Sequence, residues 1–338
     1  MSRRYTIVFI ALAVVCVALF VGCMLLGSVD IPASDIWYSI AGGEVSKPSW
    51  RYIVVQTRFP AAVTALLAGA ALAVAGLLMQ TTFNNPLAGP SILGISTGAS
   101  LGVAVVMLAL GGVLTLWGQA AVLVAALIGA LAVMLVLLGL SSVVRSATML
   151  LIVGILIGYL ASSAIALLNF FAGKDGVHSY VVWGLGNFGG VTLGQLPLFV
   201  GLLLVFILAS MLYIKPLNAL LLGNRYAASV GVKLAATRNG ILLISGALTA
   251  VVTAWCGPIS FVGLIVPHIA RLALHTSNHR QLLPATALAG GAVGALCQLL
   301  SVAPGAWGII PINAITPVIG VPIIIYIIVR RRSIFYFN

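Results

Sequence analysis

Residues 60–81, PAAVTALLAGAALAVAGLLMQT, contain no charged side chain, and their single proline opens the segment. A helix needs roughly 20 apolar residues to cross the hydrocarbon core of a bilayer, so this segment is long enough to span a membrane. Similar runs recur along the chain, in which 62% of the 338 residues are hydrophobic and 6% are charged. Soluble domains usually carry about 25% charged residues. The sequence therefore predicts an all-α integral membrane protein.

Ten apolar runs of this kind predict about ten transmembrane helices. Together they use most of the chain, so we expect residues 1–338 to form a single transmembrane domain. Because Arg3 and Arg4 precede the first run and no small-residue cleavage site follows it, we expect a retained helix rather than a removed signal peptide. The predicted spans are residues 6–28, 60–81, 91–110, 116–140, 147–171, 193–214, 236–256, 259–275, 282–302 and 311–329.

The distribution of Lys and Arg predicts the orientation. If the N-terminus is cytoplasmic and the sides alternate, the outer segments hold all four acidic residues, and 12 of the 16 basic residues lie on the inner side. Cytoplasmic loops carry the excess of positive charge, so both termini are expected in the cytoplasm. The orientation in the membrane then accounts for the net charge of +12. The charge is therefore no sign of nucleic-acid binding, and we expect no nucleic-acid partner. The inner basic residues are Arg3, Arg4, Arg145, Lys215, Arg225, Lys233, Arg238, Arg271, Arg280, Arg330, Arg331 and Arg332.

The sequence carries no motif for catalysis or for binding ATP. It has no Gly-rich loop ending in Gly-Lys-Ser/Thr, no His-Glu-x-x-His and no catalytic serine elbow. His268 and His275 are spaced so that both could lie on one helix face as metal ligands, but isolated histidines are more often interfacial polar groups. The four cysteines fit the pattern of small buried hydrophobic residues. We therefore expect no catalytic residues, no metal site and no cofactor bound by this chain.

No acidic residue lies in any predicted span, which bears on how transport would be driven. Ion-coupled carriers normally bind the driving ion at an ionisable residue within the membrane. The absence of an acidic residue in the spans favours a transport mechanism powered by a partner ATPase at the inner face. Two alternatives stay open: a secondary carrier driven by an ion gradient, and a membrane scaffold that transports nothing.

Several long motifs follow one another along most of the chain. They are RFP at 58–60, LLAGAALA at 66–73, NPLAGP at 85–90, LGISTGA at 93–99, GPISFVGLIVPH at 257–268 and HRQLLP at 279–284. In this order they resemble the FecCD-type permease subunits of ATP-binding-cassette (ABC) importers for iron–siderophore complexes, haem and cobalamin. The resemblance implies the ten-span, inverted-repeat fold of a type II ABC importer permease.

The resemblance also implies a function and a set of partners. It implies transport of an iron complex, siderophore or haem, across the bacterial inner membrane, with cobalamin as the alternative substrate. The partners implied are a second permease copy (identical or a close paralogue), two cytoplasmic ABC ATPase subunits that carry ATP and Mg, an extracytoplasmic substrate-binding protein, and membrane lipid.

An ATPase-docking loop is implied at residues 217–232, where the family has short cytoplasmic helices. Without the resemblance, an ordinary amphipathic interfacial helix would be the preferred interpretation. The family usually carries an acidic residue where this chain has Asn224, so the loop departs from the family pattern there. The docking residues implied are Leu222, Gly223, Asn224, Arg225, Ala227, Ala228 and Gly231.

Two further sites are implied at the membrane surfaces and along the pore. Arg58, assisted by Arg51, would attract an acidic substrate-binding protein, although the second arginine usual in the family is replaced here by Ala61. A snorkelling arginine at the lipid interface is the alternative for Arg58. The residues implied to flank the pore and its cytoplasmic gate are Gln80, Asn84, Asn85, Ser96, Thr97 and Ser100.

Overall fold

The computed structural model describes residues 3–109, 118–144, 146–303 and 308–330, and the regular elements within these ranges are helices. Adjoining turns of different pitch are counted here with the helix that they continue. The helices are α1 (Arg3–Leu25), α2 (Ala33–Ala41), α3 (Pro48–Thr82), α4 (Ile95–Ala109), α5 (Gly118–Val143), α6 (Ala147–Phe171), α7 (Lys174–Gly184), α8 (Leu196–Leu220), α9 (Asn224–Ser229), α10 (Leu234–Cys256), α11 (Val262–Leu274), α12 (His279–Val302) and α13 (Ile312–Arg330).

Among the described residues, seven helices are long and apolar enough to cross a membrane: α1, α3, α5, α6, α8, α10 and α12. The shorter apolar helices α4, α11 and α13 coincide with the remaining three predicted spans. The prediction of an all-helical membrane protein is therefore confirmed, and the count of ten spans holds approximately. Arg145, Arg331 and Arg332, which contributed to the predicted orientation, lie outside the described residues.

Helix α3 begins at Pro48, well before the predicted start at Pro60. The turn Ile53–Arg58 is a wide π-helical turn, in which the N–H of Phe59 donates to the carbonyl of Val54. Proline lacks an N–H, and its ring would clash with the carbonyl four residues earlier in a regular α-helix. In the wide turn before Pro60, the hydrogen bond joins residues five apart instead of four. The clash with the proline ring is thereby avoided, and the helix continues through Pro60.

Helices α3 and α10 form the centre of the subunit. The most apolar stretch of α3 is 83% buried and that of α10 is 78% buried, whereas those of α5, α6 and α8 are each 22% buried and that of α1 is 11% buried. Peripheral helices that are apolar on all faces are suited to contact with lipid. The subunit therefore has two mostly buried helices, α3 and α10, and four helices, α1, α5, α6 and α8, whose apolar surfaces are largely exposed in the single subunit.

Glycines bring the backbones of the central helices into direct contact. A Cβ added to Gly69 on α3 would overlap the carbonyl oxygen of Gly290 on α12, and one added to Gly76 would overlap that of Gly263 on α11. Because lipid gives little hydrophobic drive between helices, close packing of small residues is a major source of association. Glycine at these positions therefore permits the close approach of α3 to α11 and α12.

We expect Gly76→Ala to destabilise the folded subunit, because the new methyl group meets backbone atoms of Gly263 that cannot rotate away. Overpacking of this kind costs roughly 1–3 kcal/mol. Gly201 on α8 is the matched control, since a Cβ there meets no atom within 4 Å. Thermal unfolding of the detergent-solubilised protein should show a lower midpoint for Gly76→Ala and no decrease for Gly201→Ala. Equal midpoints would contradict the close contact.

Candidate functional site

The segment 217–232, predicted to dock onto an ATPase, folds as the end of α8, a turn, the short helix α9 and a second turn. Two side chains anchor it, since Leu217 and Ala227 are both fully buried. Gly223 and Gly231 lie on either side of α9 with φ of 96° and 89°, a region that favours glycine. The chain can therefore turn sharply at both ends of α9, which leaves α9 projecting from the end of the helix bundle.

Most of the predicted docking residues lie on the exposed face of this segment. Leu222 is 66% exposed and Val230 is 53% exposed, so apolar side chains face outward in a part of the chain that also carries Arg225. Exposed apolar side chains beside polar ones are a common feature of protein interfaces. Ala227 is the exception, because it points into the bundle and has no free surface to offer a partner. The exposed predicted residues are Leu222, Gly223, Asn224, Arg225, Ala228 and Gly231.

Gln80, predicted to flank the pore, is fully buried near the end of α3. Its Nε2 donates to the carbonyl of Leu264 at 3.0 Å, and its Oε1 accepts from Nη1 of Arg271 at 2.7 Å. Both partners lie on α11, so Gln80 joins that helix to α3. The prediction did not place Arg271 at the site. An arginine inside an apolar helix is the signal that could have identified it, because such a charge needs a polar partner.

The other predicted gate residues fall into two separate groups. Asn84 and Asn85 follow α3 in the loop to α4, and Asn85 Oδ1 accepts from the N–H of Leu87 at 2.9 Å. Ser96 begins the second group, in the first turns of α4, and its hydroxyl lies 3.3 Å from that of Thr253 on α10. Gln80 and Ser96 are thus bonded to different helices and do not form one cluster. In the second group, Thr97 is half-buried and Ser100 is buried.

The two histidines considered as metal ligands have different partners. Nε2 of His268 lies 2.9 Å from the carbonyl oxygen of Pro86, and Nδ1 of His275 accepts from the guanidinium of Arg4 at 2.8 Å. A cationic donor on His275 occupies the lone pair that a metal would need. Each histidine thus has a hydrogen-bond partner within the subunit.

Arg58 is only 8% exposed, which corrects the prediction that it presents a charge to a partner at the outer surface. Its Nη1 donates to the carbonyls of Met24 and Leu25 at 2.8 and 2.9 Å, and its Nη2 donates to the carbonyl of Val29. The last carbonyls of a helix have no partner within the helix. Arg58 donates to these carbonyls at the end of α1, and these bonds account for the burial of its side chain. Of the two predicted docking cations, Arg51 has the exposed side chain.

A cavity of about 910 Å³ lies at the end of the bundle that carries Lys174 and Asp175, between α4, α5, α7 and α10. Its wall mixes apolar atoms with a few polar groups, the composition typical of ligand-binding cavities. The indole N–H of Trp255 has no hydrogen-bond partner among the described residues. None of the predicted pore residues lines this cavity. The polar and aromatic lining residues include Gln119, Lys174, Asp175, His178, Trp183, Asn187 and Trp255.

Among the described residues, seven apolar helices of spanning length, two of them mostly buried, define a multi-pass membrane protein. The chain belongs to the FecCD transport family, whose family model matches residues 12–330. It is therefore a permease subunit of an ABC importer of the bacterial inner membrane, and it has no ATPase site of its own. Membership implies an ATPase partner, a substrate-binding partner and a second permease subunit.

Named relatives and one solved structure resemble the chain over nearly its full length. The vitamin B12 import system permease protein BtuC of Shigella boydii serotype 18 is 34% identical over 300 residues, which are 89% of this chain and 90% of the relative. The BtuC protein of Klebsiella pneumoniae is 34% identical over 305 residues, 90% of each chain. A structure described as an inward-facing conformation of a proposed metal-chelate type ABC transporter gives a TM-score of 0.83 at 26% identity, covering 96% of this chain and 98% of that one.

We expect Arg58→Met to destabilise the protein, because it leaves the carbonyls of Met24, Leu25 and Val29 without their donor. Of these three, Met24 is buried, and a buried carbonyl left unpaired costs about 1–3 kcal/mol. Arg51→Met is the control, since it removes an equal charge from an exposed side chain that donates to the carbonyl of Gly43 at the surface, and it should lower the melting temperature much less. If both variants melt like the wild type, Arg58 does not hold the end of α1.

Proposed function

We propose that this chain forms the membrane pathway of a binding-protein-dependent importer for a large metal chelate, with the pore between two permease copies. The 34% identity to two vitamin B12 import permeases over about nine-tenths of the chain carries the proposal. On that ground a cobalamin-type corrinoid is the preferred substrate. An iron complex, siderophore or haem, is the second candidate, which the likeness to a metal-chelate type transporter favours.

The composition of the spans suits a bulky substrate that must not be retained. All four acidic residues lie outside the apolar runs. Conduction through a pore requires contacts weak enough for the substrate to leave.

The partners follow from the proposed cycle. An extracytoplasmic binding protein delivers the substrate, and the exposed Arg51 contributes to its attraction. Two cytoplasmic ABC ATPases carry the ATP and Mg, and they engage residues 217–232. Their closure switches the pore from one access state to the other. This scheme places both termini in the cytoplasm and the peripheral helices against membrane lipid, in keeping with the positive-inside distribution of Lys and Arg.

We expect Ala228→Trp to fold normally but to lose coupling to the ATPase. Ala228 lies on the exposed face of α9, so the indole disturbs a partner surface rather than the interior. Ala18→Trp, on the exposed surface of α1, is the matched control and should keep full coupling. The measurements are copurification of the ATPase and substrate-stimulated ATP hydrolysis. Normal values for Ala228→Trp would remove residues 217–232 from the docking role.

The substrate is tested with the binding protein encoded with this permease. We expect that protein to retain cobalamin, and the reconstituted complex to import it into proteoliposomes only when ATP is supplied. Import should persist after the proton and sodium gradients are collapsed. Retention of a ferric siderophore or haem instead of cobalamin would select the second candidate, and uptake that follows an ion gradient without ATP would overturn the importer mechanism.

A further inference from the structure

A chain of side-chain hydrogen bonds connects the docking segment to the central helix α3. Asn218, near the end of α8 and inside the segment 217–232, bonds to His279 at the start of α12. Nε2 of His279 lies 2.9 Å from the hydroxyl of Thr81 on α3. His279 is 0% exposed and Thr81 is 3% exposed, so the second link is shielded from water.

The main chain of α12 fixes which atoms donate and which accept. The N–H of His279 donates to Oδ1 of Asn218 at 2.8 Å, which orients the amide with its oxygen toward the imidazole. Nδ1 of His279 lies 2.9 Å from the same oxygen and therefore carries the ring proton as a donor. In the neutral ring Nε2 is then an acceptor, and it receives the hydrogen of the Thr81 hydroxyl.

The side-chain nitrogen of Asn218 is hydrogen-bonded as well as its oxygen. Its Nδ2 donates to Oδ1 of Asn278 at 3.0 Å, and the same oxygen of Asn278 accepts from the N–H of Arg280. Two of the first N–H groups of α12, which have no partner within the helix, are thus satisfied by Asn218 and Asn278. Movement of Asn218 relative to α12 would leave several of these groups without partners.

The link also reaches the residues near the predicted gate. Thr81 follows Gln80, whose amide bonds to Leu264 and Arg271 on α11. If the bond from Thr81 to His279 opened, the Thr81 hydroxyl could still turn to the carbonyl of Leu77 at 3.1 Å, but Nε2 of His279 would stay buried without a donor. An unmade hydrogen bond in a buried site is unfavourable, so α3 is expected to follow α12 and the docking segment as one unit.

We propose that His279 is a positioning residue that transmits displacement of the docking segment to α3, through Asn218 on one side and Thr81 on the other. The inference rests on the proposed function, because it assumes that an ATPase moves the segment 217–232. Two packed arrangements of the helices, rather than gradual bending, are the usual means by which a local displacement reaches a distant site. A hydrogen-bonded imidazole between three helices can carry such a displacement because each of its nitrogens holds a different helix.

The test compares Thr81→Val with Thr82→Val in the complete transporter. Both threonines are buried on α3, but among the described residues the Thr82 hydroxyl bonds to the Leu78 carbonyl of its own helix and to no other helix. The measurement is the coupling ratio, the substrate imported per ATP hydrolysed, in proteoliposomes with the copurified ATPase. Thr81→Val should lower this ratio by about two- to tenfold, the range that one hydrogen bond corresponds to. Thr82→Val should leave it unchanged, and Thr81→Ser should restore it.

A double-mutant comparison separates transmission from local damage. If His279 connects the two sites, Thr81→Val should add no further loss of coupling in an Asn218→Ala background, because the chain is already broken there. Independent effects that multiply would overturn the proposal. So would equal ratios for Thr81→Val and Thr82→Val, or a lower melting temperature for Thr81→Val with an unchanged ratio, which would show a purely structural role. A wild-type complex that lacks ATP-dependent import would instead refute the proposed function.

Discussion

Burial of polar groups in a membrane is the constraint on which the rest of this structure depends. Within lipid, a polar group has no water to bond with and must find its partner inside the protein. The three central polar sites follow this rule: Arg58 bonds to carbonyls of α1 and the loop after it, Gln80 bonds to α11, and His279 bonds to α3 and α8. Each site joins separate segments, so the same bonds that satisfy buried groups also fix how the helices are arranged.

Between these polar sites, the helices are held by backbone contact. Gly69 and Gly290 let α3 and α12 touch, and Gly76 and Gly263 do the same for α3 and α11. Tightly packed helices move as units rather than by small independent adjustments. A central helix in such contact, tied by Thr81 and Gln80 at one end, is well suited to change its position as a whole. The docking segment lies at that same end of α3. A partner that displaces the segment, as proposed, would therefore act on the end of α3 that these bonds hold.

Sequence reasoning succeeded where a local property decides the outcome. Hydrophobic runs predicted the helices, because such a run depends only on residues within one segment. It failed at one local change of helix pitch and where distant segments meet. Pro60 suggested the start of a helix, but the wide turn before it lets α3 extend back to Pro48. Arg58 resembled a free surface charge, but the end of α1 folds over it. Ala227 was assigned to the partner surface, yet it faces the bundle.

The sequence by itself determined the membrane class, the approximate number of spans, the family and the segment that carries the exposed face of α9. Composition and contiguous motifs are sufficient for these, since they need no knowledge of which segments touch. The tertiary structure alone decided the partners of Arg58, the bond between Gln80 and Arg271, and the connection from Asn218 through His279 to Thr81. These residues are far apart in the chain. Only the packing of helices, which burial and backbone contact determine together, brings them within hydrogen-bonding distance.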